Sequence, residues 1–279
     1  MVLGTAQLGM DYGIANHAGR PDRPRAAAIL ARAWREGVRT LDTARAYGDA
    51  ETVIGEFRKF HPDCRFRVAT KLSPADTIDP DAAITDSAAR LGEAPDAVLL
   101  HDAAMLDQWA GALGRALKRA VADGRIGAAG VSVYTPVEFV RALDTDGIDI
   151  IQAPFNALDR ALLEQGLLAE VRTRGKVVWL RSVFLQGLLT MADPPDFARA
   201  DIGHWHALCA RHGYAPEHAA LKFAAQATDA SLVLGVDGED QLAADMAVLR
   251  GPVLPPEFMD AIRALPTPEE RVIRPHLWN

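Results

Sequence analysis

The 279-residue chain has only two cysteines, and it lacks the segments that carry a protein into or across a membrane. Cys64 and Cys209 form neither a CxxC nor a CxxH spacing, which argues against a bound metal cluster. No apolar run reaches the roughly 18 residues that a membrane-spanning helix needs. The N-terminal residues have neither the basic start nor the long apolar stretch of a signal peptide. We therefore expect a cytoplasmic protein without a metal site.

The chain also has too little positive charge to suit an anionic polymer. Its formal net charge is −7 and its isoelectric point is about 5.6, which is a poor match to nucleic acid or to an anionic membrane. With 49% hydrophobic and 24% charged residues, its composition is that of an ordinary globular protein. A GxGxxG dinucleotide-binding fingerprint is missing as well. The expected partner is a small molecule, and the expected state is a monomer.

Short apolar runs alternate with longer amphipathic stretches along the chain. The apolar runs are continuous, as parallel strands buried on both faces require. They predict strands at Val2–Leu8, Val38–Asp42, Phe66–Lys71, Ala97–His101, Ala128–Val133, Ile148–Gln152, Val177–Ser182 and Leu232–Gly235. The stretches between them predict helices at Arg25–Arg35, Ala50–Phe60, Asp81–Leu91, Leu106–Ala122, Pro136–Leu143, Arg160–Arg174, Ala215–Ala227 and Glu239–Leu249.

This order of elements predicts an α/β fold with a parallel sheet and helical crossovers. Eight such units favour a closed (β/α)8 TIM barrel, formed by a single domain over residues 1–279. An extra C-terminal helix is predicted over Pro255–Leu265. The least patterned segment, Met191–Ile202, follows the seventh strand, and both a lid over the site and an inert surface insertion fit its sequence.

Four ionisable side chains follow three neighbouring strands of the predicted barrel. Asp42 ends the second strand and Tyr47 follows it, Lys71 ends the third strand, and His101 ends the fourth. Each one alone has a structural explanation, such as a helix cap for the Asp or packing for the Tyr. Because the carboxyl ends of barrel strands meet on one face, their joint occurrence predicts one catalytic site there.

This set of residue types suits the reduction of a carbonyl group, which leaves an alkoxide that needs a proton. A phenol is a reluctant acid at neutral pH, and a nearby ammonium such as that of Lys71 is expected to lower the pKa of Tyr47. Asp42 would hold Lys71 charged and oriented. His101 would hydrogen-bond the substrate oxygen beside the Tyr47 hydroxyl. The same groups run the oxidation of an alcohol in reverse.

The run LDTARAYGDAETVIGEF resembles the Asp-Thr-Ala…Tyr-Gly…Glu signature of the aldo/keto reductase superfamily. The segments VATKLS, VLLHD, GVSVY, IQAPFN and RSVFLQGLL follow in the order that the family has, and the resemblance extends over residues 3 to about 249. It implies reduction of an aldehyde or ketone, a class that includes sugar-like substrates, or oxidation of the matching alcohol or lactol. It implies a catalytic tetrad of Asp42, Tyr47, Lys71 and His101, with Tyr47 as the general acid/base.

The resemblance also implies a nicotinamide cofactor that lies extended across the barrel mouth. Ser132 and Gln152 match positions that hold the carboxamide, although Val133 stands where the family often has Asn. Arg181 replaces an aromatic residue that often stacks on the nicotinamide; its planar guanidinium can stack instead, or it can pair with a carboxylate. The implied cofactor-binding residues are Gly4, Thr5, Asp42, Ser132, Gln152, Arg181, Ser182, Phe184, Gln186, Gly187, Leu188, Gly235, Val236, Gln241 and Asp245.

The turn after the eighth strand departs from the family pattern. Members specific for NADP usually have Lys, Arg or Ser there to contact the 2′-phosphate, whereas this chain has Asp237, Glu239 and Asp240. Carboxylates repel a phosphate and accept hydrogen bonds from a ribose 2′-hydroxyl, but they also stabilise the N-terminus of a following helix. The resemblance alone slightly favours NADP(H), and the acidic turn keeps NAD(H) open.

Two other functions fit the same barrel. One is a regulatory protein that binds the cofactor with little turnover, although such a protein has no need of all four tetrad residues. The other is an isomerase or aldolase that forms a Schiff base through Lys71. A Schiff-base lysine needs a depressed pKa, and a neighbouring Asp42 would act in the opposite direction.

Overall fold

The computed structural model describes residues 1–16 and 18–278. Within this part of the chain, eight parallel strands form a closed barrel in chain order, each paired with the next and the last paired with the first. The strands are β1 (Val2–Gly4), β2 (Thr40–Asp42), β3 (Arg67–Leu72), β4 (Ala97–Leu100), β5 (Ala128–Ser132), β6 (Ile150–Pro154), β7 (Val177–Arg181) and β8 (Ser231–Gly235). The (β/α)8 TIM barrel predicted from the sequence is confirmed.

Helices connect the strands around the outside of the barrel. They are α1 (Ala6–Gly9), α2 (Arg23–Arg35), α3 (Ala50–Phe60), α4 (Pro80–Leu91), α5 (Ala112–Ala122), α6 (Pro136–Asp144), α7 (Ala161–Glu164), α8 (Leu167–Thr173), α9 (Arg199–Arg211), α10 (Pro216–Ala227), α11 (Glu239–Arg250), α12 (Pro256–Arg263) and α13 (Glu270–Ile273). Short 3-10 turns lie at Pro74–Ile78, Ala103–Gln108, Leu185–Thr190, Asp196–Ala198 and Pro275–Leu277. The extra C-terminal helix predicted at Pro255–Leu265 is α12.

Local sequence signals explain where several helices begin. In α6 the Thr135 hydroxyl accepts a hydrogen bond from the Glu138 N–H, and the Glu138 carboxylate accepts one from the Thr135 N–H. This capping box, with Pro136 in the first turn, satisfies backbone donors that have no partner inside the helix. Asp22 and Asp79 cap α2 and α4 through their side chains in the same way. These caps fix the ends of the loops from which the barrel mouth is built.

The alternation of side chains along each strand separates an apolar outer layer from the barrel interior. Val98 and Leu100 of β4 belong to the large cluster between the barrel and its helices, while Leu99 belongs to a small separate cluster inside the barrel. The inner cluster consists of Val2, Ala69, Ala97, Leu99, Ile150, Trp179 and Val233. Because side chains alternate with a period of two, the inward positions one step further along β3 and β6 are Lys71 and Gln152. The barrel interior is therefore apolar at its base and polar at its mouth.

The first predicted strand is longer than the observed one. It ends at Gly4 and is followed by the helical turn α1, because Thr5 donates from both its backbone N–H and its hydroxyl to the Asp42 carbonyl. The predicted helix Arg160–Arg174 is divided into α7 and α8 at Gly166, which has a positive φ. These breaks depend on contacts and backbone conformations that an apolar pattern does not encode.

The segment Met191–Ile202 is also more ordered than its sequence pattern indicates. It contains the 3-10 turn Asp196–Ala198 and the start of α9, and both Ala198 and Ile202 are fully buried. The Trp205 indole N–H donates to the Leu189 carbonyl and joins α9 to the loop after β7. The segment thus packs against the barrel mouth.

No helix in residues 1–16 and 18–278 is long and apolar enough to cross a membrane. The same described residues contain no group of three or more His, Cys, Asp or Glu side chains arranged to hold a metal ion.

Candidate active site

The loop that carries Tyr47 is held by a close approach of two backbone segments. A Cβ atom at Gly9 would lie 1.9 Å from the Tyr47 carbonyl oxygen, so only glycine fits at the end of α1. The Tyr47 carbonyl accepts a hydrogen bond from Ala50 N–H, which opens α3, and the Tyr47 N–H donates to the Ala44 carbonyl. The position of the phenol therefore depends on α1 as well as on β2.

A buried ion pair lies at the mouth of the barrel. The Lys71 ammonium donates to Asp42 Oδ1 at 2.6 Å and to the Thr43 carbonyl at 3.0 Å. Gln152 Nε2 donates to the same carboxylate oxygen at 2.9 Å. The exposed fraction of Lys71 is 1% and that of Asp42 is 3%. Burial lowers the pKa of Lys71, and the Asp42 carboxylate opposes this shift.

Tyr47 lies beside this ion pair. The Lys71 Nζ atom is 5.0 Å from the centroid of the Tyr47 ring. The pKa of Tyr47 is nevertheless raised, first by burial and then by the negative charge of Asp42, while Arg181 opposes the shift. The expected net lowering of the Tyr47 pKa is thus wrong for this geometry, because burial of the phenol and the charge of Asp42 outweigh the nearby positive charges. Tyr47 is a neutral phenol that holds its proton.

His101 lies edge-on to Tyr47, with ring centroids 5.8 Å apart and an interplanar angle of 84°. Burial and the charges of Lys71 and Arg181 lower the pKa of His101 to about 4. The imidazole is therefore neutral near pH 7, with one N–H donor and one acceptor. Its Nδ1 atom is buried without a hydrogen-bond partner in the described part of the chain. A neutral His101 can donate one hydrogen bond to a substrate oxygen.

Arg181 ends β7 on the opposite side of the mouth. Its guanidinium donates to the Val133 carbonyl at 3.1 Å and to the Ser182 hydroxyl at 3.2 Å. The ring of Tyr134 covers it, with the guanidinium carbon 4.2 Å from the ring centroid. No carboxylate of a described residue pairs with it at ion-pair distance. Of the two expected arrangements, the structure thus lacks the ion pair and leaves the guanidinium stacked on an aromatic ring of the protein.

An elongated cavity of about 550 Å³ starts at this cluster and extends along the mouth past β8. Asp42, Tyr47 and Gln152 line one end. The cavity is lined by Gly4, Thr5, Ala6, Gln7, Tyr12, Gly13, Ala15, Asn16, Asp42, Tyr47, Gln152, Arg181, Ser182, Val183, Phe184, Gln186, Gly187, Thr190, Glu217, Val233, Leu234, Gly235, Asp237, Gln241, Ala244 and Asp245. Its volume is more than a small carbonyl compound needs and lies within the usual range of ligand pockets.

The loop after β7 has an unusual backbone along one wall of the cavity. Ser182, Leu185 and Gln186 have φ values of 60°, 51° and 54°, in the left-handed region that side chains other than glycine rarely adopt. Gly187 follows with a φ of 91°, and a Cβ atom there would lie 2.5 Å from the Ala15 Cβ. This strained loop therefore meets the loop after α1 directly. Such strain concentrates where a backbone holds a ligand.

The far end of the cavity is acidic. Glu217 of α10 and Asp237 of the turn after β8 line it together with Asp245 of α11. Asp245 is only 7% exposed, and its Oδ2 atom has no hydrogen-bond partner among the described residues. Burial and the nearby Glu217 raise the pKa of Asp245 to about 7. This carboxylate lacks the donor that a buried acceptor normally has.

Most residues expected to bind the cofactor lie on this cavity. Those that line it are Gly4, Thr5, Asp42, Gln152, Arg181, Ser182, Phe184, Gln186, Gly187, Gly235, Gln241 and Asp245. Ser132 is buried at the end of β5, where it pairs in register with Gln152, while Leu188 and Val236 are buried in the apolar core around the barrel.

Several lining residues were not singled out for this role in the sequence. The loop after α1 contributes Tyr12, Gly13, Ala15 and Asn16, and α1 itself contributes Gln7. Asn16 folds this loop, since its side chain bonds the Tyr12 carbonyl and the Gly19 N–H. The Asn and Gly residues of this segment signal a loop, but its partner across the cavity depends on the tertiary fold.

The C-terminal segment packs on the same side of the mouth. His276 contacts the Tyr134 ring edge-on at a centroid distance of 4.8 Å. Behind it, Arg274 forms a buried ion pair with Asp159 in the loop after β6. The segment therefore lies next to the Tyr134–Arg181 stack at the mouth of the barrel.

Comparisons with known proteins agree with this geometry. A family model described as the aldo/keto reductase family matches residues 1–266. A D-threo-aldose 1-dehydrogenase of a Pseudomonas species is 30% identical over 295 aligned residues, which cover 86% of this chain and 88% of that protein.

Solved structures with the same fold include an aldo-keto reductase of Bacillus halodurans in its holo form, with a TM-score of 0.79, 20% identity, and coverage of 95% of this chain and 91% of that one. The glycerol dehydrogenase of Gluconobacter oxydans has a TM-score of 0.73 at 20% identity, covering 95% and 90%. A Klebsiella pneumoniae aldo/keto reductase in complex with NADP and acetate has a TM-score of 0.73 at 22% identity, covering 96% and 92%.

Proposed function

The chain belongs to the aldo/keto reductase family, and on that premise we propose that it is an NAD(P)-dependent oxidoreductase of sugar-like substrates. In this proposal it reduces a polyhydroxylated aldehyde or ketone, or oxidises the matching alcohol or lactol, with Tyr47 as general acid/base. The observation that carries the proposal is the cluster of Tyr47, His101 and the Asp42–Lys71 ion pair, of which Tyr47 and Asp42 line the cavity.

The cavity suits a nicotinamide dinucleotide in both shape and chemistry. Because the hydride and the proton go to the two atoms of one carbonyl group, the nicotinamide ring belongs at the Tyr47 end. Gln152 lines that end and offers amide groups for the carboxamide. Arg181 supplies positive charge, and the strained Ser182–Gly187 loop supplies backbone for the pyrophosphate. When bound, the nicotinamide supplies or accepts the hydride.

In this proposal Tyr47 and His101 both contact the substrate oxygen. As a neutral phenol, Tyr47 donates its proton to the alkoxide that develops during reduction. The neutral His101 donates a hydrogen bond to the same oxygen and holds it beside the phenol. Lys71, fixed by Asp42, places positive charge 5.0 Å from the phenol ring, where it stabilises the phenolate left after proton transfer. In the oxidising direction the phenolate takes the proton from the substrate hydroxyl.

A polar substrate fits the walls at this end of the cavity. Tyr12 and Arg181 offer hydrogen-bonding groups near the Tyr47 end, as a polyhydroxylated substrate requires. The activities named for two relatives, on an aldose at C1 and on glycerol, support a substrate of this class.

Turnover of a substrate panel tests this proposal. Aldoses of D-threo and other configurations, glycerol and 4-nitrobenzaldehyde are offered with each nucleotide, in both directions, and absorbance at 340 nm is followed. We expect turnover of at least one aldose with greater kcat/KM than that of 4-nitrobenzaldehyde. Nucleotide binding without turnover of any substrate would support the regulatory alternative instead, and the absence of binding would overturn the proposal.

The Schiff-base alternative has less support from the site. Lys71 is 1% exposed, it does not line the cavity, and its ammonium is held by Asp42 and the Thr43 carbonyl. A lysine that attacks a carbonyl must be accessible and neutral. Borohydride trapping with the aldose panel is expected to leave the mass of the protein unchanged.

A further inference from the structure

The two ends of the cavity differ in charge. With the nicotinamide at the Tyr47 end, the remaining length of the cavity runs to the turn after β8, so the adenosine half of the cofactor must lie there. This placement rests on the proposed function. The polar side chains at that end are Glu217, Asp237, Gln241, Asp245 and Gln7, whose amide hydrogen-bonds the Asp237 carboxylate.

No basic side chain among the described residues lines the adenosine end of the cavity. Among the described lining residues, Arg181 is the one basic side chain, and it is held at the end of β7 by Val133 and Ser182. The 2′-phosphate of NADP(H) would add about two negative charges beside Glu217, Asp237 and Asp245. Like charges in a partly buried cavity are screened less than on a surface, so this repulsion is not removed by solvent.

The backbone and side chains of the turn favour a hydroxyl instead. The Asp237 N–H donates to Gln241 Oε1 at 2.8 Å, so this backbone donor is already used within the turn. The buried Asp245 Oδ2 lines the cavity and has no donor from the described residues. An unpartnered buried acceptor is satisfied by a hydroxyl or amino group, both of which an adenosine carries, and not by a phosphate.

We infer that this chain selects NAD(H) over NADP(H), because Asp237, Asp245 and Glu217 repel a 2′-phosphate and Asp245 accepts a hydrogen bond from the adenosine. This differs from the NADP(H) that the family resemblance alone favours. The discrimination acts through charge, so it is greatest at low ionic strength and at a pH above 7, where Asp245 is ionised.

Direct binding of the two reduced nucleotides tests this inference without any need for turnover. The dissociation constants of NADH and NADPH are measured by isothermal titration calorimetry at pH 8 and low salt, and again with 0.5 M NaCl. We expect NADH to bind at least about tenfold more tightly at low salt, with a smaller ratio at high salt. Equal binding, or tighter binding of NADPH, would overturn the selectivity but leave the proposed function intact. Failure to bind either nucleotide would overturn both.

Variants in which a carboxylate is replaced by a neutral amide show which side chains weaken the binding of NADPH. Asp237→Asn and Asp245→Asn are each expected to strengthen NADPH binding by about threefold to tenfold and to change NADH binding less. Asp240→Asn removes one negative charge from the same helix, at an exposed position that does not line the cavity, and serves as the matched control. An equal gain in NADPH binding for Asp240→Asn would show that net charge acts rather than this site, and would overturn the assignment.

Discussion

The Lys71 ammonium and the Asp42 carboxylate lie 2.6 Å apart at the barrel mouth, and both are almost completely buried. β2 and β3 are adjacent and parallel, and their inward positions at the carboxyl ends bring the two groups together. Breaking a buried ion pair leaves an uncompensated charge, which costs more than the pair itself contributes.

Because the two charges compensate each other, we expect the effects of substituting Asp42 and Lys71 on the free energy of unfolding to be strongly non-additive. Asp42→Asn alone is expected to destabilise the fold by about 3–5 kcal/mol, because it leaves a buried ammonium without its counter-ion. Lys71→Met in addition removes that charge, so the double variant should be more stable than Asp42→Asn. Urea unfolding of the wild type, both single variants and the double variant measures the coupling. Additive losses would contradict a buried ion pair.

His101 predicts a specific pH dependence of stability. Its pKa falls from 6.5 in the unfolded chain to about 4 in the folded protein, so the unfolded state binds more protons between these values. Stability is therefore lost as the pH falls from about 6.5 to 4. His101→Gln should lose less stability over this range than the wild type, as measured by Tm at pH 7, 5.5 and 4.5. An identical loss in both proteins would argue against a buried neutral imidazole.

Asp245 predicts the opposite dependence. Its pKa rises from 3.8 in the unfolded chain to about 7 in the fold, so the folded state binds more protons between these values and stability falls as the pH rises. At about 1.4 kcal/mol per pKa unit, the cost at pH 8 is at most about 4 kcal/mol. Asp245→Asn cannot ionise, so its Tm relative to the wild type should increase from pH 4 to pH 8. A difference that is constant with pH would show that Asp245 is not desolvated.

Gly187 predicts a link between the backbone of the loop after β7 and nucleotide binding. Gly187→Ala places a Cβ atom against Ala15 and forces a φ of 91°, so the loop must shift. Gly37 has a φ of 90° with no atom near the added Cβ, and Gly37→Ala is the matched control. Both variants should lose about 1 kcal/mol of stability from the left-handed backbone.

Calorimetric titration with NADH separates the two glycine variants. Gly187→Ala should bind the nucleotide at least about tenfold more weakly than the wild type, and Gly37→Ala should bind it equally well. Unchanged binding by Gly187→Ala would show that this loop does not contact the cofactor.

The sequence was sufficient for the fold because each barrel strand carries its own signal. The continuous apolar runs at β3 to β8 are strong, since these strands are buried on both faces. At β1 the same apolar character continues into α1, where the hydrogen bonds of Thr5 to Asp42 decide the conformation. An apolar run does not distinguish a short strand plus a helical turn from one longer strand.

The sequence was enough to predict which residues form the candidate site, but not the direction in which the pKa of Tyr47 is shifted. Polar residues at the ends of predicted strands indicated Asp42 and Lys71, whereas Gln152 was expected only from the family resemblance. The raised pKa of Tyr47 depends on how deeply the fold buries the phenol and on its distance from Asp42, which the sequence does not give. The contribution of Asn16 could not be predicted because its loop reaches the cavity from outside any barrel strand.

The central claim is that Tyr47 transfers the proton of a redox reaction, and Tyr47→Phe tests it most directly. The variant removes only the hydroxyl, and Tyr214→Phe, which alters a ring packed on Phe258 away from the cavity, is the control. We predict that Tyr47→Phe binds NADH with an unchanged dissociation constant but loses at least about 100-fold in kcat with the best aldose, while Tyr214→Phe retains its kcat. Retention of kcat by Tyr47→Phe would contradict the account.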